Sequence, residues 1–334
     1  MNNPRRLLWL ISLIILLLLI PLIVPSSVMM TDAGAEEADD PVPVYEPVVL
    51  ANPDVEPLPT PKRADYRSGA AVYAPHEDGF IRDEDGNLTG YLDGTISVRI
   101  EEGTYHGTKV LFTWVQIADA SQLQAAFTAQ YPQENLEWPT SLARTVHFVV
   151  AINGDWAGGH GFGLVARQGI QLHKARYGDF DALIVDFDGN FHILKQPELS
   201  DFDAFEGQIK HSFVFGPALV IDGEAQQYPD NERKKMNIPA RQQRQAICQI
   251  DELSYLLITT EGPEQSADGG FNINELALLA QACGAKQAYN LDGGSSTWLV
   301  LGNDRINNLQ SKNKRGITDI IYFVTAEPDL NPAE

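Results

Sequence analysis

Cysteine is nearly absent: Cys248 and Cys283 are the only two in 334 residues. Two thiols so far apart exclude a cysteine-rich zinc site and a disulfide-dense scaffold, leaving room for one bridge at most. Cations are scarce as well, with 24 Lys and Arg against 45 Asp and Glu and a formal net charge of -21. Nucleic-acid binding needs clustered Lys and Arg to neutralise phosphates, and clusters such as Arg233 to Lys235 are short, so no nucleic-acid partner is expected. The histidines show no metal-ligand spacing; no cofactor is expected, and the metal requirement stays open. Core-forming residues are in good supply. Hydrophobic content of 44% with 21% charged residues excludes wholesale disorder.

One long apolar run stands apart. Leu7 to Val24 spans 18 residues, interrupted only by Ser12 and Pro21, directly after Arg5 and Arg6. That length lies at the border between a signal peptide and a spanning helix. The arginines should stay cytoplasmic, and the acidic stretch of Asp32, Glu36, Glu37, Asp39 and Asp40 should lie outside with the rest of the chain. Ala33-Gly34-Ala35 has the small-x-small form of a cleavage site but lies well past Val24. Residues 1–30 therefore read as an uncleaved, single-pass signal-anchor in the cell membrane, with secretion after cleavage as the alternative. Residues 31–65 are acidic and carry prolines at 41, 43, 47, 53, 57, 59 and 61. They read as a semi-rigid spacer, or as an unstructured tail with no spacing role.

Residues 66–325 contain no second linker, heptad run or internal repeat and read as one domain, with 326–334 as a tail. Short runs rich in β-branched and aromatic residues mark strands at 110–117, 145–152, 182–187, 213–221, 255–260, 287–291, 297–301 and 319–324. Asp188-Gly189 signals a hairpin, because both residues tolerate the positive φ of a tight turn. Asn272 and Glu275 form a capping box for a helix whose Leu276, Leu279, Ala280 and Cys283 share one face before Gly284 ends it. Asp119 with Gln122 predicts a second helix through Leu123, Ala126 and Phe127. Strands outnumber helices without alternating with them. The expected fold class is α+β: a mostly β mixed-sheet domain with a few packed helices, preceded by an N-terminal membrane helix.

Two familiar patterns fail on context. Gly161 to Ala166 formally fits a dinucleotide fingerprint, but Leu164 to Leu172 looks like a strand where a helix is required. Gly293 to Thr297 half resembles a nucleophile elbow, yet it lacks the closing glycine and runs into a strand. The densest chemical signal is Ala288 to Thr297. Asp292 sits at a strand end, Gly293 and Gly294 allow close backbone approach, and consecutive amides with the hydroxyls of Ser295, Ser296 and Thr297 suit an anionic oxygen. A plain turn capped by Asp and Ser is the other reading. Asn153 and Asp155 repeat the logic, ending a hydrophobic strand before the glycines around His160, itself a proton donor or a simple loop residue. Arg244 reads as a bidentate phosphate ligand or a surface ion pair.

In order, Gln122 to Phe127, Ala151 to Asp155, Phe213 to Val220, Arg244 to Ile247, Asn274 to Ala277 and Tyr289 to Gly294 resemble the phosphodiester glycosidase family across roughly residues 94–324. The chain departs from the family pattern at Cys248, at Glu261-Gly262-Pro263, where an arginine is replaced, and in a glycine run one residue short at Gly293-Gly294. The resemblance implies hydrolysis of a sugar 1-phosphodiester in envelope or extracellular glycans, releasing free sugar and a phosphomonoester. It makes Asp292, Asp155 and Glu261 the carboxylate candidates, with acid and base unassigned. Asn153, Arg244 and Gly293 to Thr297 become candidates for holding substrate and phosphate. The rival readings are a non-catalytic module that binds anionic glycans and a structural partner in exopolysaccharide assembly.

Overall fold

The computed structural model describes residues 73–105, 107–128, 136–157, 159–230, 236–262, 269–308 and 315–326. The expected anchor, the linker, Pro263 and the tail beyond 326 lie outside the described residues. Three sheets carry the fold. The nine-stranded sheet runs β1 (Phe80–Arg82), β2 (Leu88–Leu92), β3 (Ile96–Tyr105), β4 (Thr108–Ile117), β15 (Ser254–Thr260), β14 (Gln245–Asp251), β16 (Gln287–Asn290), β12 (Ala218–Ile221) and β13 (Glu224–Ala225). One five-stranded sheet holds β10 (Phe191–Leu194), β9 (Ala182–Asp186), β11 (Ile209–Phe213), β7 (Leu164–Arg167) and β8 (Ile170–Lys174). The other holds β18 (Asp304–Arg305), β17 (Leu299–Leu301), β6 (Val150–Asn153), β19 (Asp319–Phe323) and β5 (Leu123–Phe127).

The domain is mostly β with few helices, as expected, but the mixed sheet is corrected: all the strand pairings described are antiparallel. Strand direction is set by the long-range returns of the chain, which no pattern within a strand encodes. Two α-helices are described, α1 (Pro139–Val146) and α2 (Ile273–Ala282). The α2 capping box forms as expected: Asn272 Oδ1 accepts from the Glu275 amide at 2.8 Å, and Glu275 Oε2 accepts from the Asn272 amide at 3.0 Å.

The Asp119 box also forms, with Gln122 Oε1 accepting from the Asp119 amide at 2.9 Å, but it caps only the 3-10 turn Ala120–Gln122. The predicted helix is instead strand β5, because alternation places Leu123 and Ala125 in the core while the backbone pairs with β19. Three other runs break. Thr145 and Val146 close α1, and only Val150–Asn153 is strand. The run 213–221 divides between β11 and β12. Leu164 to Leu172 is a hairpin that turns at Gln168 and Gly169, both at positive φ.

The central strands are buried on both faces. Ala246, Cys248, Leu256 and Ile258 face one core with Leu276 and Leu279 of α2, while Ile247, Tyr255 and Leu257 face another with Val150, Ile152, Leu299 and Phe323. This follows from the two-residue period of a strand. Full burial of Leu276 and Leu279 is worth about 1.5–3 kcal/mol each, which fixes α2 on the sheet. Cys248 and Cys283 are free, buried members of the same cluster. Burial pushes the Cys283 thiol up to about 12 and Cys248 well above the usual range, so neither is poised to react. Denaturing alkylation without reductant is expected to label both; a mass short by two hydrogens and no labelling would instead establish a bridge.

Candidate active site

The C-terminal end of β16, the C-terminal end of β6 and the start of β19 meet. The Asp292 amide donates to Gly154 O at 3.3 Å, and the Gly154 amide donates to Asp319 O at 2.9 Å. Asn153, Gly154, Trp156, Asp292, Arg315 and Asp319, among others, line a small, shallow surface cleft there.

Asp292 is the carboxylate that reaches this space, with its side chain 16% exposed. Its Oδ1 accepts from the Gly293 amide at 2.9 Å, and its Oδ2 accepts from Arg315 Nη2 at 3.2 Å. Burial raises its pKa above the ordinary carboxylate value, opposed by Ser296, the Arg315 charge and the Gly293 amide. Arg315 also donates through Nε and Nη2 to Ser296 Oγ, at 3.0 and 2.5 Å. Its side chain is 41% exposed, and among the described residues Nη1 has no hydrogen-bond partner. Arg315 escaped sequence reasoning, although Lys312, Lys314 and Arg315 form a cationic cluster in an acidic chain.

Asp155 does not share the cleft with Asp292, although its strand end does. It is wholly buried, with Oδ1 accepting from Arg167 Nη2 at 3.1 Å and Oδ2 from the Val214 amide at 2.5 Å. Arg167 Nη2 also donates to Asp319 Oδ2 at 3.0 Å. Asp319 is pushed well above the carboxylate range, first by burial and then by the Asp155 charge. The raised value favours the neutral form of Asp319, which relieves the repulsion between the two neighbouring acids. Gly154 is required here: a Cβ on it would lie 1.9 Å from Asp319 Oδ2.

The other sequence candidates divide. Asn153 lines the cleft, but its amide group is spent on Asp292 O at 2.7 Å and on the Trp298 amide at 3.0 Å, so it ties the glycine loop to β6. Gly293, Gly294 and Ser295 are partly exposed, whereas Ser296 and Thr297 are wholly buried. The amides of Gly293, Gly294, Ser296 and Thr297 already donate within the protein, which fills most of the expected anion cradle. Arg244 is buried and donates to the carbonyls of Phe271, Asn237 and Ala240, bracing the loop before α2. Glu261 accepts from Asn308 Nδ2 at 2.8 Å. It ends β15, two strands from β16, about 10 Å at usual strand spacing, and does not line the cleft. His160 stacks on Phe162 at 4.2 Å, and burial lowers its pKa.

A larger depression of about 780 Å³ lies at the opposite rim of the nine-stranded sheet. It is lined by Asp188, Asp222, Asp251 and Glu252, and its one cation, Lys286, pairs with Asp251 at 2.8 Å, so it suits an anionic substrate poorly. Among the described residues no group of three His, Cys, Asp or Glu side chains is arranged to hold a metal ion.

The zebrafish N-acetylglucosamine-1-phosphodiester alpha-N-acetylglucosaminidase catalytic domain, solved auto-inhibited by its pro-peptide, shares the fold. Its TM-score is 0.55 at 16% identity, over 76% of this chain and 87% of that one. The SPbeta prophage-derived uncharacterized protein YomE of Bacillus subtilis (strain 168) is 27% identical over 203 residues, 59% of this chain. That match spans 31% of the relative's own length. The phosphodiester glycosidase family profile matches residues 147–324, more than half of the chain and including Asp292, Arg315 and Asp319 of the cleft, and the chain belongs to that family.

Proposed function

We propose that the domain hydrolyses sugar 1-phosphodiesters of envelope or extracellular glycans, and that residues 1–30 tether it to the membrane with the domain outside the cytoplasm. The observation that carries the chemistry is one partly exposed carboxylate, Asp292, beside the partly exposed guanidinium of Arg315, whose Nη1 has no partner among the described residues. Water adds at the anomeric carbon, the C1–O bond breaks, and the leaving group is a phosphomonoester. With a second pKa of about 6, such a phosphate departs without much proton donation, so a single ionised carboxylate and a cation suffice. Asp292 activates the water or offsets positive charge at the anomeric carbon, and Arg315 neutralises the departing phosphate. The fold shared with the zebrafish enzyme supports the same reading.

Incubating the full-length protein with sugar 1-phosphodiesters and assaying for free sugar and phosphomonoester tests the activity. Tight binding without turnover would instead favour a glycan-binding module. Protease shaving of intact cells tests the topology, and protection of the domain from external protease would overturn it. Arg315→Ala is expected to raise KM by about 10–100-fold, the worth of a hydrogen bond to a charged group. It should also move the acid limb of the pH profile upward, because Asp292 loses the charge that lowers its pKa. Arg244→Ala is expected to lower stability and leave KM unchanged, since its guanidinium serves backbone carbonyls.

A further inference from the structure

We propose that Trp156 is the platform on which the pyranose ring of the substrate lies, while Arg315 holds the phosphate. The inference rests on the phosphodiester reading and names the part of the substrate that the polar groups of the cleft do not address. Trp156 lines the cleft with Asp292 and Arg315 and is 37% exposed, whereas its neighbours Asp155 and Ala157 are wholly buried. Its backbone φ is +60°, a left-handed conformation that is an outlier for a bulky aromatic residue. Strained positions persist where the surroundings over-determine them, and they cluster at ligand sites.

The surroundings here are specific. The Ala157 amide donates to Asp155 Oδ1 at 3.3 Å, and the Gly159 amide donates to Trp156 O at 3.0 Å, closing the turn on both sides. Gly159 lies against the indole so closely that a Cβ would sit 2.0 Å from Nε1. His160 meets the indole edge-on at 6.2 Å and stacks on Phe162, which stacks on Phe180 at 4.2 Å. The indole is thus braced by a row of rings running into the core, while over a third of the residue stays exposed at the cleft it lines. A pyranose offers a face of C–H bonds, which suits the negative face of an aromatic ring. Bracing of this kind lowers the ordering cost on binding.

The test is calorimetric titration of the full-length protein with inorganic phosphate and with glucose, galactose and N-acetylglucosamine 1-phosphates. At least one sugar phosphate should bind wild type about tenfold more tightly than inorganic phosphate, the worth of one aromatic contact. Trp156→Gly should abolish that preference and keep the phosphate affinity, because glycine adopts the positive φ and leaves the turn in place. Trp156→Phe should keep most of the preference. Equal weakening of both probes in Trp156→Gly, or no sugar preference in wild type, would each overturn the platform. Absence of turnover with the sugar preference intact would sink the hydrolase reading and leave the platform standing.

Discussion

Asp292→Asn is expected to lower turnover by about a hundredfold or more while leaving KM close to wild type, as the loss of a general base does. The amide keeps the Oδ1 contact to the Gly293 amide, and it replaces the oxygen that accepts from Arg315 Nη2 with an uncharged NH2 group. Stability should not suffer. Asp292 is held above its ordinary pKa, so its contribution is present at low pH and is lost as pH rises through the raised value. At neutral pH the neutral amide is therefore tolerated or stabilising, and the exposed Arg315 contact it weakens is worth little. In the wild type, a carboxylate that must be ionised makes turnover fall as the pH drops through that raised value. A fall on the alkaline side would make Asp292 an acid instead. Undiminished turnover in a folded Asp292→Asn protein would remove it from the chemistry.

The second large effect is on folding. Arg167→Met is expected to destabilise the domain by about 3–5 kcal/mol, because it leaves the Asp155 carboxylate buried with no counter-ion. Asp155→Asn should cost a similar amount, since it strands the guanidinium between two neutral groups. Asp319→Asn replaces a carboxyl already held neutral, and should cost only about 1 kcal/mol, the scale of one altered hydrogen bond. Urea unfolding of the three variants separates these cases. Equal losses for Asp155→Asn and Asp319→Asn would mean that the charge is shared evenly between the two acids.

Local signals were legible in the sequence because each acts within a few residues of its cause. The Asn272 box needs only its own turn, and Asp186 to Asn190 forms the turn that Asp188-Gly189 announced, with Gly189 at φ +85°. Asp292 could be placed at a strand end feeding glycines for the same reason. The ordered motifs pointed to the family as well, since six short segments in fixed order are seldom met by chance. The Asp119 box shows where such reasoning stops: its hydrogen bonds form, but a single turn is a weak nucleus, and pairing with β19 some two hundred residues later wins the following segment.

The roles at the cleft were decided by tertiary structure. Asp155 and Asp292 look alike in sequence, each ending a hydrophobic strand before a glycine, yet one is buried against Arg167 and the other reaches solvent. Arg244, expected at the phosphate, braces backbone carbonyls, and Arg315, which sequence reasoning missed, stands at the cleft. The sequence by itself determined several of the central strands, where two helical turns are capped, and to which family the chain belongs. Only the folded chain decided which carboxylate stays accessible and which guanidinium keeps a free nitrogen. Those properties depend on hydrogen-bond partners drawn from β6, β7, β16 and β19, far apart in the chain, and a side chain's chemistry depends on which of its atoms those partners have already taken.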